Sequence, residues 1–550
     1  MFWSIIKSIF LLIATPIAAF LIRQLIIYLK LNKYRSQGIR CYYAPIFGIR
    51  KAVPGGAILE KVRKMVDKKV RGDQLVAGNS LMRLEPFLYI TGSQLFRPFL
   101  EVENKYFKRT GASEKTHPNK SFFFEKGELA LSRRAIFAEF FKAKNLKKMI
   151  PRIEAFFEES FKNLAVRLYK NKVELDSGGQ LRLKQGVKVE DLEWKKVDFK
   201  PFLKEPFDKI INFVLFGSKS SEDSPKFDGD KPFNEAAKEF NLLKKGIFFN
   251  LDNLVFGGKL SDWKLTGASR KVEEQKKKIY KTMKNFFENR TSRQKKENKN
   301  SDSEDFINLS GLMFQYNQKQ EEGGKVWQKN NRNSKNKKIM DFETIIDTLR
   351  TFHFAGYDIA KGNAGIALLN LSLHPKIREE FLKDVELLNK QDPEIRDYDS
   401  AEYITKVVKE NLRLFGPSQG GFPRARICTK TCKIGGYKIY KGSLVSVRTD
   451  LFNTDPEIYD KPFEFNPERF GDKKLVKKAT HNLSYVPFSS GSRSCQGQYL
   501  GEILIKTLLR TVLTFFEIRW DRESVMELIS VATLEPRHIN LELKPKISKK

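Results

Sequence analysis

One cysteine near the end of the chain stands in a setting that suits a thiolate ligand. The run reads Phe488-Ser-Ser-Gly491-Ser-Arg493-Ser-Cys495-Gln-Gly497. Glycines allow a tight backbone turn whose amide N–H groups can point at the sulfur. Arginine is a permanent cation that can bind a haem propionate, and the phenylalanine can cover the sulfur with apolar surface. These residue types favour a thiolate beneath a haem iron. The alternative is a buried structural cysteine at a strand-to-helix turn.

The same run matches the signature Phe-x-x-Gly-x-Arg-x-Cys-x-Gly at every specified position. The chain is therefore identified as resembling the cytochrome P-450 superfamily, in its eukaryotic microsomal form. The resemblance implies haem b (iron protoporphyrin IX), with Cys495 as the axial iron ligand and Phe488, Gly491, Arg493 and Gly497 beside the cofactor. It also implies a mainly α-helical fold with small β-sheets. In that fold the haem lies between the long I-helix and the cysteine loop.

Two further motifs precede the cysteine in the order of the family. Residues 409–415 read Lys-Glu-Asn-Leu-Arg-Leu-Phe and resemble the K-helix, and residues 463–470 resemble the Pro-Glu-Arg-Phe segment. Glu410 and Arg413 are three residues apart, which places them on one helical face. The resemblance implies that Glu410, Arg413 and Arg469 form a buried charge triad that supports the haem side.

A long apolar stretch at 339–373 is predicted to be a helix and contains Ala-Gly-Tyr-Asp-Ile-Ala from Ala355. This stretch resembles the I-helix motif Ala-Gly-x-Asp/Glu-Thr. The resemblance implies that Ala355, Gly356, Asp358 and Ile359 lie over the iron, where the glycine lets the oxygen-bound ligand approach and the aspartate delivers protons. The alternative role for Gly356 is helix–helix packing.

The chain departs from the family at position 359. Most members have a threonine there, whose hydroxyl hydrogen-bonds the iron-bound oxygen, whereas Ile359 and Ala360 have no side-chain donor. Thr351 is about 12 Å away along the helix and cannot substitute. Some family branches rearrange or dehydrate peroxides without a reductase and can carry an apolar residue here. The resemblance therefore implies a monooxygenase, with a reductase-independent (hydro)peroxide isomerase or dehydratase as the alternative.

Two arginines are candidates for the haem propionates. In a segment that resembles the C-helix, Arg134 matches the family's arginine, Ala130 replaces its tryptophan, and Arg133 is an alternative. After the K-helix, Arg426 falls where the family places another propionate-binding arginine, with Arg424 as the alternative. None of the five histidines has a convincing haem role.

Helical patterns dominate the remainder of the chain, as the implied fold requires. Apolar residues recur at helical spacing in several long segments, while glycine-rich stretches with mixed polarity indicate small sheets. Helices are predicted in 122–156, 202–249 and 339–373, and short strands in 73–89 and 430–447. Residues 290–338 are rich in Lys and Asn and are predicted to form a mobile surface insertion.

The N-terminus carries a predicted membrane anchor. Residues 1–29 are apolar enough to cross a bilayer core of about 30 Å, and the Lys and Arg residues that follow leave the bulk of the protein in the cytosol. A cleavable signal peptide is the rival interpretation. We therefore predict a single-pass signal anchor in the endoplasmic reticulum membrane at 1–29, a hinge at 30–56, and a catalytic domain at 57–545.

Composition narrows the classes of partner. The net charge is +35, from 101 Lys+Arg against 66 Asp+Glu. Because this charge is spread along the chain without a basic–aromatic motif, it does not indicate nucleic-acid binding. Four cysteines are too few and too scattered for a disulfide framework, which favours a reducing compartment. The resemblance implies an NADPH–cytochrome P-450 reductase, cytochrome b5 as a further electron donor, and a lipophilic small-molecule substrate.

Overall fold

The computed structural model describes most of the chain and leaves several internal segments aside. It describes residues 2–42, 74–80, 83–109, 123, 125, 127–218, 226–227, 231–232, 274, 277–286, 308–313, 341–417, 426–530 and 534–547.

Helices form the larger part of the described chain, as the sequence predicted. They are α1 (Phe2–Arg35), α2 (Phe96–Tyr106), α3 (Gly127–Ala138), α4 (Ala143–Lys147), α5 (Ile150–Leu168), α6 (Lys204–Phe216), α7 (Phe342–Leu373), α8 (Pro375–Asn389), α9 (Glu402–Phe415), α10 (Thr449–Asn453), α11 (Lys473–His481) and α12 (Gln498–Phe515).

The strands are short and belong to several small sheets. They are β1 (Arg40–Tyr42), β2 (Leu75–Ser80), β3 (Arg83–Ile90), β4 (Phe107–Arg109), β5 (Val173–Leu175), β6 (Leu181–Leu183), β7 (Lys195–Asp198), β8 (Lys226–Phe227), β9 (Lys231–Pro232), β10 (Arg426–Cys428), β11 (Cys432–Ile434), β12 (Tyr437–Ile439), β13 (Leu444–Val447), β14 (Phe516–Trp520), β15 (Leu528–Ser530), β16 (Leu534–Pro536) and β17 (Asn540–Pro545).

The long helix α7 runs through the middle of the helical core. Its first residue follows Asp341, whose carboxylate accepts a hydrogen bond from the Thr344 amide at 2.7 Å and caps the helix. It ends at His374, before Pro375, because a proline disfavours helical conformation in the preceding residue. Helix α7 packs against α6, α9 and α12, and α12 also packs against α5. The predicted helix at 339–373 is confirmed.

A six-stranded sheet packs against an apolar cluster that is separate from the helical core. Its order is β1-β2-β3-β13-β10-β4, and β13 runs parallel to β3 but antiparallel to β10. The remaining strands form a three-stranded sheet, β14-β17-β7, and four two-stranded hairpins. The strands predicted at 73–89 and 430–447 are confirmed by β2, β3 and the hairpin β11–β12 with β13.

The C-terminal part of α1 belongs to the folded domain. Ile27, Leu31 and Tyr34 are buried at helical spacing, and the Tyr34 hydroxyl lies 2.7 Å from the Ser443 hydroxyl oxygen. Strand β1 then pairs with β2. Residues 30–42 are thus helix and strand where the sequence predicted the start of a hinge, because their apolar face packs on the sheet. Residues 43–56 lie outside the described part.

Three other predictions concern the membrane-spanning helix, the insertion at 290–338 and the helical region at 202–249. Within the described residues, no helix is both long and apolar enough to span a bilayer. Of the predicted insertion at 290–338, only 308–313 are described. In the predicted helical region 202–249, α6 ends at Gly217, which has a φ of 70° and so adopts the left-handed conformation that glycine permits.

Candidate functional site

The cysteine loop is a tight turn that leads into α12. Ser489 and Gly491 both have positive φ, 65° and 76°, and the chain then forms one 3-10 turn, Gly491–Arg493. The Cys495 amide donates to the Phe488 carbonyl at 2.9 Å, which closes the loop. Helix α12 begins three residues after the cysteine. Because the N-terminus of a helix is electropositive, this position favours a thiolate.

The surroundings of the sulfur are open on one side and aromatic on the other. Cys495 is exposed. A Cβ atom built on Gly497 would lie 4.0 Å from its sulfur and 3.7 Å from the Phe141 ring. The Phe141 ring in turn lies 5.4 Å from the Phe352 ring on α7, centroid to centroid. Phe141, which the sequence analysis did not single out, therefore connects the cysteine loop to the long helix.

Arg134 lies next to the cysteine loop. Its guanidinium donates to the Ser494 carbonyl at 2.6 Å. Burial lowers the pKa of Arg134, and the charge of Cys495 opposes that shift. Arg133 points elsewhere: it pairs with Glu125 at 3.1 Å and donates to the Thr344 hydroxyl on α7 at 3.4 Å. Of the two alternatives that the sequence left open, Arg134 is the one beside the cysteine.

Two more arginines, Arg493 and Arg426, lie near the cysteine loop. Arg493 donates to the Glu125 carbonyl at 2.7 Å and to the Asn104 side-chain oxygen at 3.1 Å. Arg426, at the start of β10, binds the buried carboxylate of Glu103 on α2 at 2.6 Å. The other candidate on this segment, Arg424, lies outside the described residues.

The three guanidinium groups interact electrostatically. Burial lowers the pKa of Arg493, the charges of Arg134 and Arg426 lower it further, and Glu103 opposes them. Burial and the neighbouring guanidinium groups thus both disfavour the charged form of Arg493. Such a cluster suits an anionic ligand that presents carboxylates, and the two propionates of a haem have that chemistry.

The predicted charge triad is present and buried. The Arg413 guanidinium binds Glu410 in a bidentate manner, at 2.6 and 2.7 Å, and Arg469 reaches the same carboxylate at 3.3 Å. The side chains of Glu410 and Arg413 have no exposed surface. The Asn466 amide also donates to Glu410, at 2.9 Å.

The remaining donors of the triad hold the segment between α10 and α11. Arg413 donates to the carbonyl oxygens of Asn453 and Pro462, at 2.8 and 2.7 Å. Arg469 donates to the carbonyl oxygens of Asp460 and Lys461. Lys461 itself has a φ of 41°, which is strained for a side chain of this kind. The triad therefore fixes an irregular backbone segment that the hydrogen bonds of regular secondary structure would not hold.

The I-helix residues occupy different faces of α7. A Cβ atom on Gly356 would lie 3.0 Å from the Cδ1 methyl of Ile211 on α6, so this glycine permits close approach of the two helices. That contact fits the packing alternative. Asp358 is 40% exposed and lies 3.7 Å from the Lys361 ammonium. Ala355 and Ile359 are half-buried. Thr351 donates to the Asp347 carbonyl at 2.8 Å within the helix.

A buried amide chain, which the motifs did not reveal, joins α7 to α9. Asn370 donates to the Asn411 side-chain oxygen at 2.9 Å, and Asn411 donates to that of Asn363 at 2.9 Å. Asn363 donates to the Phe415 carbonyl at 2.8 Å, at the end of α9. The spacing of 363 and 370, two helical turns apart, was a signal available in the sequence.

In the described part of the chain, no group of three or more His, Cys, Asp and Glu side chains could hold a metal ion.

The comparisons with known proteins agree with this arrangement. A family model described as Cytochrome P450 matches residues 77–542. "Cytochrome P450 3A5" of Homo sapiens is 30% identical over 247 residues, which are 44% of this chain and 45% of the relative. "Cytochrome P450 4V2" of Pongo abelii is 32% identical over 187 residues, 34% of this chain and 35% of the relative. "Cytochrome P450 4c21" of Blattella germanica is 32% identical over 178 residues, 32% of this chain and 34% of the relative.

The chain thus spans less than half the length of each of these three relatives. The family model, in contrast, covers most of the chain and includes the cysteine loop, the triad and α7. The chain therefore belongs to the cytochrome P450 family, and this membership implies a haem-thiolate cofactor.

Proposed function

We propose that this protein is a haem-thiolate monooxygenase, which inserts one atom of dioxygen into a lipophilic small molecule. The observation that carries the proposal is the arginine cluster beside Cys495. A thiolate at the N-terminus of α12, with guanidinium groups around it, suits a ligand that has a metal centre and peripheral carboxylates. When bound, the haem supplies the activation of dioxygen.

In this proposal each residue of the cysteine loop has one task. Cys495 would hold the haem iron through its thiolate, and the start of α12 would stabilise the negative charge of that thiolate. Gly491 permits the left-handed turn before it. Phe488 packs near Gly501, where its ring lies 3.8 Å from the position of an added Cβ, and provides apolar cover on the proximal side.

Arg134, Arg493 and Arg426 are the proposed propionate ligands. Burial and the charges of Arg134 and Arg426 lower the pKa of Arg493, so bound propionates would stabilise its charged form. The buried triad of Glu410, Arg413 and Arg469 acts at a distance, because it holds the backbone that precedes the cysteine loop.

On the opposite side, Ala355 and Ile359 present apolar surface, and Asp358 is the proposed proton donor. Its 40% exposure gives it access to solvent, and Lys361 holds its carboxylate near the helix. Because Ile359 has no hydroxyl, the final proton donor is an ordered water or a substrate hydroxyl.

The proposed electron donor is an NADPH-dependent cytochrome P450 reductase, with cytochrome b5 as a further donor. The net charge of +35 supports association with an acidic protein surface. We also propose that residues 1–29 anchor the protein in the endoplasmic reticulum membrane, with the catalytic domain in the cytosol. Support comes from the apolar N-terminal sequence and the cations that follow it.

The second candidate reaction is the rearrangement or dehydration of a (hydro)peroxide without a reductase. Ile359 favours it, because that chemistry needs the haem-thiolate but no proton relay from this position. The experiment compares substrate-dependent oxygen uptake, in the presence of NADPH and reductase, with turnover of a fatty-acid hydroperoxide. A monooxygenase requires both NADPH and reductase. Hydroperoxide turnover that is independent of the reductase would establish the second reaction.

A further inference from the structure

Two cysteines outside the haem site lie on either side of the connection between β10 and β11. Cys428 ends β10 and Cys432 begins β11, with the turn Thr429-Lys430-Thr431 between them. The sulfur of Cys428 lies 3.0 Å from the Lys430 carbonyl oxygen, inside this turn. Neither cysteine is in a disulfide.

The β11–β12 hairpin places both cysteines beside Ile439. Cys432 is the cross-strand partner of Ile439 in the β11–β12 pair. The sulfur of Cys428 lies 3.9 Å from the carbonyl oxygen of the same Ile439. Both cysteines therefore border one residue, Ile439.

The two thiols differ in exposure and in acidity. Cys428 is buried with no exposed surface, whereas Cys432 is half-buried and reachable from solvent. The hydrogen bond with Cys432, followed by burial, raises the pKa of Cys428, and the same hydrogen bond lowers the pKa of Cys432. Cys432, the more exposed of the two, is thus the sulfur that an oxidant in solution can reach, and the thiolate is the reactive form.

The charge around the hairpin also suits a reactive thiolate. Lys430 lies between the two cysteines in sequence, Lys433 follows Cys432, and Lys433 lies directly opposite Lys438 across the β11–β12 hairpin. Reactive cysteines occur in partly exposed, electropositive settings, and buried structural cysteines do not.

We propose that Cys428 and Cys432 form a reversible oxidation site that closes to an intramolecular disulfide when hydrogen peroxide is the oxidant. The Cys432 thiolate attacks one peroxide oxygen, the O–O bond breaks, and the departing hydroxide is protonated to water. The resulting sulfenic acid then reacts with the Cys428 thiol: the S–S bond forms, the S–O bond breaks, and the second water leaves with the thiol proton. Two thiols lose two electrons and two protons, and one peroxide becomes two waters.

This site is separate from the haem ligand. Cys495 lies in a different loop, and its role in the proposed function does not involve the hairpin. Cys428 nonetheless ends β10, the strand that begins with Arg426. Oxidation would therefore cross-link the strand that carries one proposed propionate ligand.

The experiment uses the full chain with its haem, first reduced and then treated with hydrogen peroxide. Remaining thiols are alkylated, and the protein is digested with trypsin. Cleavage after Arg426, Lys430 and Lys433 places Cys428 and Cys432 in separate short peptides. We expect these two peptides to be joined by a disulfide after peroxide and to separate after dithiothreitol. Cys495 falls in a different peptide, so its own oxidation does not affect the readout.

Three variants establish the order of steps. In Cys428→Ser we expect a sulfenic acid at Cys432 that dimedone traps, because no partner thiol resolves it. In Cys432→Ser we expect no dimedone adduct at the buried Cys428. Cys41→Ser is the matched control. Cys41 packs against the apolar cluster that contains Cys428, and burial raises the pKa of its thiol. We expect the Cys428–Cys432 cross-link to persist in this variant.

Several outcomes would overturn the proposal. They are full alkylation of both cysteines in the wild-type chain after peroxide, a cross-link from Cys432 to Cys41, or a disulfide between two molecules. If Cys428→Ser does not fold, Cys432→Ser and the wild-type peptides still decide, because Cys432 is not fully buried.

Discussion

Arg133 and Arg134 are neighbours in the chain but act in different places. Arg134 reaches the Ser494 carbonyl beside the cysteine, while Arg133 engages Glu125 and the start of α7. Successive residues of a helix point about 100° apart, so a register difference of one residue separates the proposed propionate ligand from a residue in a structural ion pair. The sequence motif was too loose to choose between them.

This difference gives a test at the residue scale. We expect Arg134→Gln to weaken haem binding by roughly 10- to 100-fold, because a hydrogen bond to a charged group contributes about 1.5–3 kcal/mol. Transfer of haem to an excess of apomyoglobin measures the loss. Arg133→Gln is the matched control and should lower thermal stability with little change in haem transfer. Equal haem loss in both variants would contradict the assignment.

Ile359 is the residue that bears on the choice between the two proposed reactions. We expect Ile359→Thr to raise the amount of product formed per NADPH consumed. The substitution adds a hydroxyl donor at position 359, where the isoleucine side chain has none. A positioned proton donor contributes about 10²-fold or more to a rate, so a several-fold change in coupling is measurable. Ile359→Val controls for the change in shape, since valine has the shape of threonine without the hydroxyl. Unchanged coupling in Ile359→Thr would mean that another proton path operates.

At the scale of elements, the triad connects α9 to an irregular segment. Regular helices satisfy their own backbone groups, whereas five carbonyl oxygens within residues 453–464 accept hydrogen bonds from Arg413 and Arg469. Motif spacing placed Glu410 and Arg413 on one face of α9, and the prediction of a triad came from the resemblance. The carbonyl partners could not be predicted, because they belong to backbone without a periodic pattern.

We expect Glu410→Gln to destabilise the protein by about 3–5 kcal/mol and to prevent haem retention, because it leaves two buried guanidinium groups without their counter-charge. Denaturant unfolding and the haem-to-protein ratio measure both effects. The control on the same helix is Glu402→Gln, which breaks a pair with Lys406 in which Glu402 is 81% exposed. That change should cost less than about 1 kcal/mol. A small effect of Glu410→Gln would show that the triad does not carry the segment.

Gly356 offers a second test at this scale, because its two roles predict different behaviour. The added methyl of Gly356→Ala would meet the Cδ1 atom of Ile211 at 3.0 Å, so we expect a loss of about 1 kcal/mol. Ile211→Val removes that same methyl. In a double-mutant cycle the pair should therefore show a favourable coupling, measured by chemical unfolding. Additive effects with a selective loss of activity would instead favour a role near the oxygen ligand.

At the scale of the whole molecule, α1 would join the proposed membrane anchor to the folded domain in one helix. Its residues Ile27, Leu31 and Tyr34 are part of the apolar cluster on the six-stranded sheet. The proposed anchor at 1–29 therefore overlaps with the folded domain. The orientation of the domain on a membrane would follow from the helix rather than from a flexible hinge at residue 30.

Two truncations separate these functions. We expect removal of residues 2–19 to abolish sedimentation with phospholipid vesicles while unfolding remains cooperative. Removal of residues 2–35 should also destabilise the protein by several kcal/mol, because each buried aliphatic side chain that is lost costs about 2–5 kcal/mol. Vesicle sedimentation and thermal unfolding are the measurements. Retention of full vesicle binding by the shorter truncation would contradict the anchor.

The sequence by itself determined the family and the long helix α7, and it singled out Cys495 as the proposed thiolate ligand. Each of these rests on local information: fixed residue types at fixed spacing, or apolar residues at helical period, which a chain carries before it folds. Only the tertiary structure decided that Arg134 lies beside the cysteine loop, that Gly356 faces Ile211, and that Cys428 and Cys432 both border Ile439. These contacts depend on how separate elements pack, and packing is set by the shapes of many side chains together.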